Sequence, residues 1–170
     1  MVIWIVGLAG AGKSSLGREL AAMLRLNDPA VVLIDGDAFR QVMGDDLGHG
    51  LEDRRRNAWR ICRMCLMLER QGITVVCAIL ALFPETLAWN REHYSSYCEV
   101  FLDVPMEVLA ARDQKGLYSR ALAGELRDVA GVDLPFQPPA SPDLVLGPAE
   151  DYTPAQAAAR ILRRLRGEEM

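Results

Sequence analysis

The residues best placed to do chemistry come first in the chain. Gly7-Leu8-Ala9-Gly10-Ala11-Gly12-Lys13-Ser14 fits the pattern G-x-x-x-x-G-K-[ST]. Gly7, Gly10 and Gly12 let the backbone curl so that successive N–H groups point inward at phosphate oxygens. A helix opening at Lys13 adds the positive end of its dipole. Lys13 reaches toward the β- and γ-phosphates, and the Ser14 hydroxyl is a hard oxygen donor suited to Mg²⁺. Apolar residues precede the run and a helical pattern follows it, the context that separates this motif from an ordinary glycine-rich turn. The expected ligand is a nucleoside triphosphate with Mg²⁺.

A second group lies in Leu33-Ile34-Asp35-Gly36-Asp37-Ala38-Phe39-Arg40. An apolar run there ends in two carboxylates around one glycine. Gly36 permits a sharp turn, so Asp35 and Asp37 can both face a cleft. A kinase acting on a hydroxyl needs a proton acceptor and metal positioning, and carboxylates at a strand end serve both. Asp35 is a candidate for catalysis and for the metal, and Asp37 for catalysis and acceptor contact. Arg40 and Arg54 offer planar donors to an anionic acceptor, with Asn57 one helical turn after Arg54.

The elements that must position these residues follow from periodicity. Apolar runs at 2–6, 30–34, 73–80, 99–104 and 143–146 read as strands, with the last the weakest. Helical patterns cover 13–26, 51–71, 84–94, a short stretch from Pro105, and a last helix capped by Thr153 and Pro154. Continuous apolar strands alternating with helices imply an α/β fold with a parallel five-stranded sheet covered on both faces. Ligands bind beyond the carboxyl ends of such strands, where both groups fall. Residues 112–142 carry charges, glycines and prolines with little periodicity, as a mobile lid would. No repeat or second domain is evident, so 1–170 reads as one domain.

Composition narrows the classes. The chain has 170 residues, 51% of them apolar, enough for one real core. A net charge of −4 argues against binding a nucleic-acid polymer but permits a local basic pocket. No uncharged apolar run reaches 18 residues, so no membrane span is expected. Residues 1–10 lack a basic leader and read as a buried strand, not a signal peptide. Cys62 and Cys65 fit the inner stripe of a helix, which favours core packing over redox or metal use. The unpaired pattern reads as a reduced, cytoplasmic protein. The short chain shows no second ATPase motif, which favours a kinase of a small-molecule acceptor over a motor.

Several stretches resemble the adenylylsulfate kinase family over nearly the whole chain. They are "GLAGAGKSSL", "LIDGDAFR", "DDLGHGLEDRRRNAWRI", "EVFLDVPMEVLAARDQKGLYSRALAGEL" and "GVDLPFQPP". The resemblance implies a three-layer P-loop kinase fold and transfer of the ATP γ-phosphoryl, with Mg²⁺, to the 3′-hydroxyl of a nucleotidyl anhydride. It further implies a homodimer. It places Gly7, Ala9, Gly10, Ala11, Gly12, Lys13, Ser14 and Ser15 on ATP, with Arg112 and Arg120 as weaker candidates for phosphate contacts from the lid. Asp37, Arg40, His49, Arg54, Asn57, Lys115, Gly116 and Leu117 match acceptor positions.

Three departures bear on the acceptor. The family's third strand ends in Phe-Ile-Ser-Pro, whose serine is described as phosphorylated; Ala81 stands there and cannot carry phosphate. The family's "LGFS" reads "LGHG", placing His49 where a phenylalanine stacks on adenine. The opposing aromatic of "FTGID" is Val129. Loss of base–aromatic stacking, about 1–3 kcal/mol per base, and a likeness of Met43–Asn57 and Trp89–Arg91 to cytidine diphosphoramidate kinases of capsule biosynthesis favour that cytidine anhydride over adenylyl sulfate. His49 reads equally as an exposed loop residue. Two readings compete: a P-loop kinase for another metabolite, and a nucleotide-binding protein without chemistry.

Overall fold

The computed structural model describes residues 1–113, 116–147 and 152–168. Five strands form one sheet: β1 (Val2–Val6), β2 (Val31–Asp35), β3 (Thr74–Ile79), β4 (Tyr97–Leu102) and β5 (Leu144–Leu146). Their order is β2-β3-β1-β4-β5 and every pairing is parallel. β1 is central, fully buried along its length, and carries the phosphate loop at its carboxyl end.

Side-chain alternation explains the continuous apolar run of β1. Ile3 and Ile5 enter one core with Leu16, Leu20 and Ile161. Val2, Trp4 and Val6 enter another with Ile61, Cys62 and Cys65. A strand buried on both faces has no polar side to show. The first core lies under α1 (Lys13–Arg25) and the last helix, α7 (Pro154–Leu165). The second lies under α3 (Leu51–Glu69) and α4 (Pro84–His93). Helices therefore cover both faces, as the alternation of elements requires.

Local signals set the helix ends. Gly12 has φ 97°, a left-handed conformation that glycine adopts without a Cβ clash, and α1 begins at the next residue. At α7 the Thr153 hydroxyl accepts from the Gln156 N–H while the Gln156 carboxamide accepts from the Thr153 N–H, a reciprocal capping box. Ile161 on α7 is fully buried. Ile161→Ala should lower stability by about 2–5 kcal/mol by deleting buried methyl groups. Urea unfolding checks this, and a loss under 0.5 kcal/mol, of the order of a surface substitution, would show that α7 contributes little to the core.

The structure adds two helices to the expected set. Gly36 opens α2 (Gly36–Val42) instead of a bare turn, because Asp35 caps that helix. Between α5 (Met106–Arg112) and β5, the segment expected to be irregular holds α6 (Leu117–Leu122). Its signal was hidden by its six-residue length. β4 starts and ends two residues earlier than expected. Val2 pairs with Tyr97 at its start, and Pro105 restricts the chain beyond its end. All four cysteines are free and buried, as core packing predicts. Burial pushes the Cys62 thiol up to about 12, far from a reactive thiolate. Trp4 is fully buried, and Trp59 and Trp89 pack half-buried against the second core.

Candidate active site

The phosphate loop leaves the end of β1 and is pressed against β4. A Cβ on Gly7 would come within 3.0 Å of the Leu102 carbonyl oxygen, so only glycine passes there without displacement. Lys13 Nζ donates to the Leu8 carbonyl at 2.8 Å, which folds the amine back over the loop. Ser14 Oγ donates to Asp35 Oδ2 at 2.5 Å. The other Asp35 oxygen, Oδ1, accepts from the N–H groups of Asp37 (3.0 Å) and Ala38 (3.4 Å) at the start of α2. One carboxylate thus fastens the first helix of the loop to the second strand and second helix.

Burial lowers the pKa of Lys13 to about 8, against the opposing pull of Asp37 and then Asp35. The sign follows from which form is disfavoured. Burial penalises the charged amine below pH 8, and this penalty is relieved as pH rises from 8 toward 10.5. The free protein gains stability from this group across that window. Phosphate needs the charged form, so triphosphate binding should weaken above pH 8, approaching about tenfold per pH unit. Calorimetric titration of ATP from pH 7 to 9.5 measures this; a constant affinity would contradict the assignment.

Beyond the loop the strand ends enclose a cleft of about 530 Å³. Its lining brings Lys13, Ser14, Asp35 and Asp37 together with Arg40, His49, Arg54 and Val129. Asp37 makes no side-chain hydrogen bond among the described residues and also faces a side cavity of about 70 Å³. That cavity takes Arg40, Arg54 and the buried Asn57. Arg40 Nη1 donates to the carbonyls of Leu47 (3.1 Å) and Gly48 (3.0 Å). Arg54 donates from Nε to the His49 carbonyl (2.6 Å) and from Nη2 to the Asp128 carbonyl (2.9 Å). Burial first, then Arg54, hold the His49 pKa below its usual value. His49 is an exposed residue of the loop before α3, as one reading of the sequence expected, and it also lines the cleft.

The lid segment meets the loop. Leu117 and Arg120 line the cleft, and Gly116 is the left-handed N-cap of α6. Arg112 Nη1 donates to the Gly10 carbonyl at 3.4 Å. Lys115 lies outside the described residues. Sequence reasoning missed Tyr118, whose buried ring sends its hydroxyl to the Ala9 carbonyl at 2.8 Å. It also missed Leu126, Arg127, Asp128 and Ala130 as cleft wall. The quoted "GVDLPF" marked that neighbourhood, but no local pattern assigned those four a place. Ala81 packs into the second core, while its neighbours Leu80 and Leu82 line the side cavity.

A phosphate loop on the central parallel strand, with carboxylates and arginines across one cleft, defines an α/β P-loop kinase. The family model "Adenylylsulphate kinase" matches residues 1–147, and the chain belongs to that family. An adenylyl-sulfate kinase of Gloeothece citriformis is 38% identical over 144 residues, 85% of this chain and 82% of the relative. A probable bifunctional SAT/APS kinase of Sorangium cellulosum is 37% identical over 164 residues, and there this chain spans 28% of the relative's length. The Mycobacterium tuberculosis APS kinase CysC in complex with AMPPNP and APS superimposes with a TM-score of 0.89 at 32% identity, covering 97% of this chain and 96% of that one. The chain is an ATP-dependent kinase with a hydroxyl as acceptor.

The donor set fits Mg²⁺. A hydroxyl and a carboxylate meet at the phosphate end of the loop, and Mg²⁺ takes few protein oxygens, leaving the rest to water and phosphate. Among the described residues no helix is long and apolar enough to cross a membrane.

Proposed function

We propose that this kinase transfers the γ-phosphoryl of ATP to the ribose 3′-hydroxyl of a nucleotidyl mixed anhydride, with adenylyl sulfate as the acceptor. The product would be 3′-phosphoadenylyl sulfate, a step of sulfate assimilation. The supporting observation is one cleft whose lining brings Lys13, Ser14, Asp35 and Asp37 together with Arg40 and Arg54. The names carried by the relatives favour adenylyl sulfate over the cytidine anhydride expected from the departures.

In this reading the N–H groups of the loop hold the triphosphate, joined by Lys13. Ser14, anchored by Asp35, organises Mg²⁺. The bound ion supplies charge neutralisation on the phosphate oxygens. Asp35 has both oxygens engaged, so Asp37 takes the proton as the 3′-oxygen attacks. The O3′–Pγ bond forms while the bridging Pγ–O bond to ADP breaks. Direct in-line transfer requires no phosphoserine, which Ala81 could not provide. Arg40, Asn57, Gly116, Leu117 and Lys115 hold the acceptor, and Arg112 and Ser15 support the phosphates. A reduced, cytoplasmic setting and a homodimer belong to the same reading; sedimentation tests the dimer.

A second acceptor, cytidine diphosphoramidate, is favoured by one observation. Among the described residues the cleft lining contains no Phe, Tyr or Trp, and it includes His49 and Val129. A smaller base needs less stacking surface and more polar reading. Titrating each anhydride into the ADP–Mg²⁺ form, and measuring ATP turnover with each, decides between them. Binding and turnover with adenylyl sulfate alone support the first. The cytidine anhydride alone supports the second, and turnover with neither rejects both.

A further inference from the structure

The acceptor end of the cleft has two walls from distant parts of the chain. One is the loop between α2 and α3, ending in His49. The other is the turn after α6, where Asp128 is left-handed at φ 63°. Each wall is closed by its own hydrogen bonds. In the first, the Gly48 N–H donates to Asp53 Oδ2 (3.0 Å), and Arg40 holds the Leu47 and Gly48 carbonyls. In the second, the Asp133 carboxylate accepts from the N–H groups of Asp128 (2.7 Å) and Val129 (2.6 Å). Arg54 spans the two. Its Nε donates to the His49 carbonyl and its Nη2 to the Asp128 carbonyl.

Those carbonyls belong to His49 and to the residue before Val129, and both His49 and Val129 line the cleft. A guanidinium is a rigid planar fork, so fixing two of its donors fixes the separation of their acceptors. Resting on the function proposed above, we propose that Arg54 is a positioning residue. It braces the two walls and sets the width of the slot between His49 and Val129, and so selects the acceptor's base by size. Three of its five N–H donors remain for the acceptor itself, so bracing does not compete with anion binding. Lysine keeps the charge but cannot reproduce the two directed bonds.

The test uses Arg54→Lys and Arg54→Gln in the full chain. Backbone hydrogen exchange needs no acceptor and reports the brace directly. Exchange at 44–50 and 126–134 should rise together by about tenfold in both variants, with α1 and α7 unchanged. The second readout is the ratio of affinities for adenosine and cytidine 5′-monophosphates in the ADP–Mg²⁺ form. That ratio should move by about threefold or more in both variants, since slot width is worth a fraction of one base stack. If Arg54 were only a charge for the anion, lysine would preserve affinity, glutamine would weaken both nucleotides equally, and exchange would not change. That result overturns the proposal, as does a rise in only one segment or an unmoved ratio. Wild-type turnover with the two anhydrides judges the proposed function separately.

Discussion

Lys13→Ala is expected to abolish phosphoryl transfer, by at least about 10³-fold in kcat/KM. Lys13 Nζ is folded over the loop onto the Leu8 carbonyl, and the residue lines the cleft. A cation held in place before substrate arrives stabilises developing charge without reorganising at the moment of reaction. Water entering the space left by alanine cannot supply a fixed positive charge. The fold should survive, because the amine lines the cleft and the α1 residues that pack the core are Leu16, Leu20 and Ala21. Steady-state kinetics with unchanged far-UV circular dichroism would show this. A fully active Lys13→Ala protein would refute the assignment of the phosphate loop.

The next largest effect belongs to Asp35→Asn. Turnover should fall by about 10²–10³-fold while ATP still binds. Two hydrogen-bonding roles meet on this residue and the substitution separates them. Oδ1 caps α2 through the Asp37 and Ala38 N–H groups, and asparagine caps helices about as well as aspartate. Oδ2 accepts from Ser14, and there asparagine places either a donor or a neutral oxygen. The anionic oxygen beside the Ser14 hydroxyl is lost while the helix cap stays. Loss of activity with less than about 1 kcal/mol of destabilisation is therefore the expected pattern. Turnover equal to wild type would remove Asp35 from the mechanism. A large drop in stability would show instead that the carboxylate is chiefly structural. Asp35→Ala is the contrast, since it removes the cap as well.

Much of the site was legible in the chain because its motifs are local. The phosphate loop needs only a strand end, three glycines and a helix start, all within 13 residues of the N-terminus. Asp35 and Asp37 were legible as a pair, but their division of labour was not. Which carboxylate is occupied depends on Ser14, 21 residues away in sequence. Gly36 was read as a turn because two acids and a glycine carry that local preference. The Asp35 side chain accepting two N–H groups turned the same residues into a helix start. α6 escaped notice because six residues span less than two turns, too few for periodicity to register.

Resemblance supplied what local pattern could not, and it also marked its own exceptions. His49 and Val129 stood out because they replace aromatics, and the structure places both in the cleft lining. Arg54 was assigned to the acceptor from its charge and planar donors, and again by resemblance. Its bonds to two main-chain carbonyls, one of them 74 residues away, belong to no sequence pattern.

By itself the sequence determined the alternation of strands and helices, the parallel sheet buried on both faces, and the anion-binding loop. These depend on period, turn chemistry and short-range spacing. Tertiary structure alone decided that Asp35 is engaged while Asp37 is open, that Tyr118 reaches the Ala9 carbonyl, and that Arg54 spans two walls. Each of these is a directed hydrogen bond between segments whose separation is set by packing across the sheet. Packing of that kind leaves no period along the chain.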